Sequence, residues 1–174
     1  MQYQHYLTDT IEKMYRCDGL TRLLNRTALK NEFKGLLDRC GGKLTVVLAD
    51  LDGLKTINDT YGHDDGDFAI CALADALRES CPENALCVRW GGDEMVAVIA
   101  GEYSSEAIRS GIDRRLNEVN AHSGKPYRIS ASVGVRTFST DVTSRFEDMV
   151  RDTDQLMYSE KSSKKQHADI VRQR

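Results

Sequence analysis

Residues Leu44-Thr45-Val46-Val47-Leu48-Ala49-Asp50-Leu51 read LTVVLADL, a nearly unbroken apolar run preceded by Gly41-Gly42 and followed by Asp52-Gly53. Its length, its two adjacent valines and its glycine boundaries predict a strand buried on both faces at the centre of a sheet. A strand of that kind needs helices on both sides, so it sets the fold class before any other segment is read.

Working outward, Asn25 is placed to cap a helix running to about Arg39. Leu29, Phe33, Leu36 and Leu37 share one face of it, and Gly41-Gly42 stop it. Farther upstream, Tyr3, Leu7, Ile11 and Met14 form one helical stripe, predicting a short helix within residues 1–17 ahead of a domain spanning 18–174. On the other side, Asp52 to Asp67 is a polar stretch rich in carboxylates and amides. A helical stripe returns from about Asp65 to Ser80 through Phe68, Ala69, Ala72, Leu73, Ala76 and Leu77. Ala85–Trp90 and Glu94–Ala100 read as two strands joined by a two-residue Gly91-Gly92 turn, whose glycines would supply the positive φ of a primed hairpin. Ile108, Ile112, Leu116 and Val119 mark a helix from Ser105 to about His122. Tyr127–Phe138 alternates as a half-buried strand, Phe146 to about Lys161 is helical, and Ile170-Val171 is expected as a last edge strand. The pattern predicts an α/β or α+β sandwich of one sheet covered by helices, with no internal repeat.

The composition limits what such a domain can do. The chain has 174 residues and 19.5 kDa, enough for one domain with its own core. Lys and Arg number 24 against 27 Asp and Glu, a net charge of -3 that disfavours a dedicated duplex-DNA binder. No apolar run approaches the length of a membrane span. The five cysteines, Cys17, Cys40, Cys71, Cys81 and Cys87, have neither CxxC nor zinc-finger spacing and read as small buried hydrophobes in a reducing cytosol.

Two constellations carry chemistry. The first is Asp50-Leu51-Asp52-Gly53-Leu54-Lys55, where two carboxylates lie at the C-terminal end of a buried strand. A carboxylate there costs free energy unless a cation or hydrogen bonds compensate it. Capping of the next helix by either aspartate is the plain structural alternative. An EF-hand loop starting at Asp50 fails, because Leu54, Lys55 and Tyr61 stand where Asp or Asn, Gly and Glu are required. A haloacid-dehalogenase-type phosphohydrolase is similar in its Asp-x-Asp-Gly strand end but expects Thr or Val where Leu54 stands. A magnesium-nucleotide site is the third reading, with Asp50 on metal and Lys55 on a phosphate. Gly41-Gly42-Lys43-Leu44 is no P-loop, lacking both the first glycine and the hydroxyl residue after lysine.

The second constellation is Trp90-Gly91-Gly92-Asp93-Glu94-Met95. The glycines leave no Cβ above the turn, so a ligand can lie across it. Strand alternation sends Asp93 and Glu94 to opposite faces, giving them separate roles.

Taken in order, these pieces resemble a known family. Asp18-Gly19-Leu20-Thr21 with Leu24-Asn25-Arg26 comes first, then Asp50-Leu51-Asp52-x-x-Lys55-x-x-Asn58-Asp59-x-x-Gly62-His63-x-x-Gly66-Asp67. Arg89-x-Gly91-Gly92-Asp93-Glu94, Ser132-x-Gly134-Val135 and Asp154-x-x-x-Tyr158-x-x-Lys161 follow. The whole is similar to the GGDEF family of diguanylate cyclases over residues 18 to about 172.

The resemblance implies a nucleotidyl-cyclase palm-like fold with a central, mostly antiparallel sheet and the GGDE hairpin at the active site. It implies condensation of two GTP into cyclic di-GMP with release of two pyrophosphates, each 3′-hydroxyl attacking the other molecule's α-phosphate across a homodimer. By position, Asp50, the Leu51 carbonyl and Asp93 would bind Mg²⁺ or Mn²⁺, with Asp52 a candidate assistant. Two such ions about 4 Å apart can activate the hydroxyl and spread the phosphate charge. Glu94 would be the general-base or outer carboxylate. Amides near Gly53 and Leu54, with Lys55, would hold the β- and γ-phosphates, and Lys161 and Lys165 would complete the clamp; solvated charge is the alternative for that lysine run. Asn58 and Asp67 would read guanine, Asp accepting from N1–H and the 2-amino group and Asn donating to O6. His63 either lines the same pocket or serves the helix start. An upstream sensor domain, a signalling helix at Tyr3–Met14 and a cytoplasmic setting without membrane contact belong to the same expectation.

Several positions depart from the family pattern. Met95 stands for the signature's Phe, Arg22 for a common Gly and Lys165 for a frequent Arg. The Arg-x-x-Asp product-inhibition motif is replaced by Pro82-Glu83-Asn84-Ala85, which predicts loss of tight feedback through that site. Two other classes remain in play: a silent GGDEF-like module that binds GTP or dinucleotide, and the phosphohydrolase, which accounts only for residues 46–53.

Overall fold

The computed structural model describes residues 15–141 and 143–172. The element order is α1 (Arg26–Arg39), β1 (Lys43–Leu51), α2 (Leu54–Tyr61), α3 (His63–Ser80), β2 (Leu86–Arg89), β3 (Glu94–Ala100), α4 (Ser105–His122), β4 (Ala131–Ser139) and α5 (Phe146–Arg172). The four strands form one sheet in the order β2-β3-β1-β4, every pair antiparallel. The apolar run is therefore an inner strand, flanked by β3 and β4.

Alternation along β1 divides the core in two. Val47, Ala49 and Leu51 join Met95, Ala97 and Ile99 against Leu73 and Leu77 of α3 and Ile112 of α4. Leu44, Val46 and Leu48 join Val96 and Val98 against Leu29 and Leu36 of α1 and Phe146 and Met157 of α5. Helices thus cover both faces, as the sequence pattern predicts. Truncating a fully buried leucine such as Leu73 or Leu36 to Ala costs about 2–5 kcal/mol. Gly134 permits the α5 layer to sit close to β4, because a Cβ there would lie 2.6 Å from the Thr153 carbonyl oxygen.

Most predicted elements are present, and Asn25 caps α1 by accepting from the Ala28 N–H at 2.9 Å. Four readings need correction. The polar stretch contains a helix, α2, bounded by Gly53 (φ 72°) and Gly62 (φ 93°) and anchored by buried Ile57. Residues 127–130 are not strand, because the Asn120 amide takes both backbone groups of Ile129, donating to its oxygen at 2.8 Å and accepting from its nitrogen at 2.7 Å. Ile170-Val171 continue α5 rather than forming an edge strand. The fourth correction, at Gly91-Gly92, belongs to the site. The expected helix at Tyr3–Met14 lies outside the described residues.

Candidate active site

The register of the sheet assembles the site. Asp50, near the end of β1, lies opposite Glu94 at the start of β3 and opposite Ser132 of β4. Directly paired residues share a face, so Asp50 and Glu94 project together on the α5 side. Asp50 is only 6% exposed. Burial pushes its carboxyl above the ordinary aspartate range, Asp93 and Asp52 add to the push, and Lys161 of α5 opposes it through a hydrogen bond and its charge. Glu94 is also raised, first by burial and then by Asp50, Asp93 and Asp154, with Arg26 pulling the other way. For Lys161, burial works against the charged form, but the hydrogen bond from its ammonium to Asp50, with Asp52 and Asp93 nearby, raises its affinity for the proton.

Asp52 does not cap α2, since Gly53 occupies that position. It accepts instead from the hydroxyls of Ser130 at 3.0 Å and Ser132 at 2.7 Å, and Lys164 lies 3.4 Å away. Of the lysine run, Lys161 meets Asp50 and Lys164, which the sequence reading did not single out, meets Asp52; the side chain of Lys165 lies outside the described residues.

The hairpin between β2 and β3 is not a two-residue primed turn. Neither Gly91 nor Gly92 has a positive φ. The N–H groups of Trp90 and Gly91 both donate to the Glu94 carbonyl, at 2.8 and 3.0 Å, closing a loop over Gly91-Gly92-Asp93. The glycines serve space rather than dihedral freedom. A Cβ on Gly91 would fall 3.0 Å from Glu94 Oε2, whereas above Gly92 there is nothing within 4 Å. The Asp93 carbonyl accepts from the Leu51 N–H at 3.3 Å, tying the loop to the end of β1.

Two arginines of the quoted motifs hold this loop, a role the sequence reading did not assign. Arg89 donates to the Gly92 carbonyl at 2.8 Å and forks onto Asp18 at 3.1 and 3.2 Å. Asp18 in turn accepts from the Thr21 N–H and hydroxyl, both at 2.8 Å. Arg26 donates to the Trp90 carbonyl, and its guanidinium lies 4.3 Å from the Trp90 ring centroid. The signal was visible as an Asp and two Arg bracketing a glycine loop, but pairing residues 71 and 64 apart in sequence is tertiary information.

The remaining candidates lie on α2 and α3. Leu54 opens α2 directly after Asp52-Gly53, so its leading N–H groups lack intrahelical partners, an arrangement suited to phosphate. Lys55 is exposed on the same turn, and His63 and Asp67 are exposed on α3. None of these three side chains makes a hydrogen bond or ion pair among the described residues. Asn58 packs over Gly66, where a Cβ would come 1.8 Å from its Oδ1, and that buried oxygen has no hydrogen-bond partner among the described residues. Between β1, β3 and α5, a cavity of about 420 Å³ is lined by Trp90, Glu94, Met95, Arg151, Asp154 and Met157, among others.

The sequence model of the family described as "Diguanylate cyclase, GGDEF domain" matches residues 15–167. The chain belongs to the GGDEF family. It is 32% identical over 149 residues to the bifunctional diguanylate cyclase/cyclic di-GMP phosphodiesterase MucR of Pseudomonas aeruginosa, covering 83% of this chain and 22% of that protein. It is 29% identical over 170 residues to the probable diguanylate cyclase DgcC of Escherichia coli K12, covering 92% of this chain and 44% of that one. The GGDEF chain thus spans less than half the length of these curated relatives. Among solved structures, diguanylate cyclase SiaD of Pseudomonas aeruginosa, crystallised with its activator SiaC, superposes with a TM-score of 0.73 at 26% identity, over 93% of this chain and 64% of that one. The antiparallel sheet with helices on both faces is the GGDEF fold. No helix among the described residues is long and apolar enough to cross a membrane.

Among the described residues, no three carboxylates, histidines or cysteines are grouped closely enough to enclose a metal ion unaided. The donor set nevertheless suits a divalent cation that brings further ligands with it. Burial raises both Asp50 and Glu94, with Asp93 and Asp52 adding to it at Asp50 and Asp50, Asp93 and Asp154 at Glu94, and Lys161 offsets the rise at Asp50 only in part.

Proposed function

We propose that this GGDEF domain is a diguanylate cyclase that condenses two GTP into cyclic di-GMP and releases two pyrophosphates. The observation that carries the reading is the convergence of Asp50, Asp93 and Glu94 with Lys161 at the end of β1, beside a glycine loop with open space above Gly92. The set has the parts that phosphoryl transfer demands, namely carboxylates for divalent cations and ammonium groups for the triphosphate.

In this reading Asp50, the Leu51 carbonyl and Asp93 hold two Mg²⁺ or Mn²⁺ ions, with Asp52 supporting from its serine-bonded position. The ions, when bound, lower the pKa of the attacking 3′-hydroxyl and spread charge on the α-phosphate and departing pyrophosphate. Glu94, whose raised proton affinity suits it to the task, accepts the hydroxyl proton. The α2 N-terminus at Gly53 and Leu54, with Lys55 and Lys161, binds the terminal phosphates. Asn58 and Asp67 read the guanine edge, the Asn58 amide group donating to O6 and Asp67 accepting from N1–H and the 2-amino group. His63 lies at the start of α3, on the rim of the same region. Each domain holds one GTP and supplies one half of the reaction, so turnover needs two domains face to face. An upstream sensor that sets this pairing, and a cytoplasmic setting where GTP is available, complete the proposal.

The test is product formation by concentrated protein with GTP and Mg²⁺, resolved by chromatography beside Asp93→Ala. Cyclic di-GMP from the parent protein, reduced by about a thousandfold or more in the variant, is expected. No cyclic di-GMP from concentrated protein overturns the cyclase reading. Orthophosphate in place of pyrophosphate points to a hydrolase, and thermal stabilisation by GTP without product points to a binding module.

A further inference from the structure

Outside this site, the structure brings two thiols together. Cys81 follows the last residue of α3 in extended backbone (φ −107°, ψ 156°), and Cys87 is the second residue of β2. The segment between them turns back on itself through the Ala85 N–H to Pro82 carbonyl bond of 2.9 Å. That turn closes the six-residue separation and brings the Cys81 thiol within interaction range of the Cys87 thiol. Both are free thiols and both line a cavity of about 560 Å³, with Arg22 and Arg78 on its wall. Cys40, by contrast, donates to the Leu37 carbonyl and contacts the Thr140 hydroxyl, and Cys71 donates to the Leu20 carbonyl.

We infer that Cys81 and Cys87 form a redox modification site, a dithiol that a hydroperoxide converts into an intramolecular disulfide. Cys87 is the attacking sulfur. The interaction with Cys81 favours its thiolate, burial opposes it, and the charge of Arg78 supports it. Cys81 holds its proton more tightly, through its interaction with Cys87 and then through burial, and acts second. In the first step the Cys87 thiolate attacks one peroxide oxygen, the O–O bond breaks, and the alkoxide or hydroxide leaves with a proton as alcohol or water. In the second, the Cys81 sulfur displaces the hydroxyl from the resulting sulfenic acid, which departs as water with the Cys81 proton. Two thiols and one hydroperoxide become one disulfide, one water and one alcohol or second water; each sulfur gives up one electron and the peroxide oxygens gain two. The bond ties the end of α3 to β2, the strand whose last residue, Arg89, holds the glycine loop.

The test needs no turnover. Trypsin cutting after Arg78 and Arg89 releases residues 79–89, which contain Cys81 and Cys87 and no other cysteine. After brief hydroperoxide treatment and alkylation without reductant, this peptide is expected to be lighter by two hydrogens and to regain two alkylation sites after a phosphine. Total free thiols should fall from five to three. Cys81→Ser should instead leave a dimedone-reactive sulfenic acid on Cys87, formed about tenfold faster than adducts at Cys40 or Cys71. An unchanged peptide in wild-type protein while the other cysteines oxidise overturns the inference, as does a disulfide found only between chains. The wild-type peptide mass decides the matter even if a variant fails to fold.

Discussion

Lys161 of α5 hydrogen-bonds Asp50 of β1 across 111 residues of chain, placing an ammonium where the carboxylates of the site converge. In this arrangement the lysine neutralises the acid that the proposed cations need. An incoming metal-bound triphosphate offers each partner a better match, metal for Asp50 and phosphate for Lys161, so ion and nucleotide should load together. Lys161→Met is therefore expected to raise the KM for GTP about 10- to 100-fold, the worth of one charge-assisted hydrogen bond. The same variant should bind Mn²⁺ without nucleotide more tightly than wild type by electron paramagnetic titration, because Asp50 is released. An unchanged KM together with unchanged Mn²⁺ binding would remove Lys161 from the site.

Gly66 and Asn58 make a second prediction. A Cβ at residue 66 would come 1.8 Å from Asn58 Oδ1, yet Gly66 has no positive φ and lies within α3. Gly66→Ala therefore suits the helix backbone, by about 1 kcal/mol in propensity, while forcing the Asn58 side chain out of its place. Thermal stability should change little and affinity for GTP should fall, with discrimination against ATP narrowing. A variant that unfolds, or one with wild-type base preference, would show that Asn58 is a packing residue only.

The Asp18–Arg89 pair gives a pH dependence with a defined sign. Burial acts to raise the Asp18 carboxyl, but hydrogen bonds from Thr21 and Arg89 and the arginine charge outweigh it and hold it below the ordinary aspartate value. A lowered folded pKa stabilises the protein fully above the unfolded pKa of about 3.9, and that contribution is lost as pH falls through the folded value. Asp18→Asn should thus cost about 1.5–3 kcal/mol near pH 7, and the gap to wild type should close below about pH 4. Denaturant unfolding at both pH values measures it; a gap that persists in acid would assign the loss to the Thr21 bonds rather than to charge.

How far the sequence reveals this site depends on how local each signal is. The β1 run, the Asn25 cap and the Ser105–His122 stripe are readable because neighbouring residues determine them. The loop at Gly91-Gly92 is not, since its closure on the Glu94 carbonyl and its clamping by Arg89 and Arg26 draw on distant segments. Residues 127–130 alternate like a strand but lose their backbone partner to Asn120, and α2 hides in a polar stretch because only Ile57 marks its buried side. Asp52 reads equally as a cap or a ligand until Ser132 of β4 and Ser130 just ahead of it claim it. The chemistry was legible as residue types in order; the supporting shell was not.

The product-inhibition motif gives the last prediction. Residues 82–85 form a tight turn in which Pro82 has no N–H and neither it nor Ala85 has a charged side chain. The adjoining cavity carries Glu79 and Glu83 beside Arg22 and Arg78, and Arg78 is already paired with Asp75. A cyclic dinucleotide presents two phosphates and two guanines, which call for a free cation and a carboxylate at fixed spacing. Here Glu83 adds negative charge to the cavity wall, Glu79 is taken up by Arg115 at 2.7 Å, and no aspartate stands at position 85 to accept from guanine. Initial rates should therefore be insensitive to added cyclic di-GMP, and calorimetry should find no site at this turn tighter than about 10 μM. Installing Pro82→Arg with Ala85→Asp should create feedback where there was none. A tight product site mapping to residues 82–85 in the wild-type protein would instead mean that Arg22 and Arg78 have taken over the recognition from the lost motif.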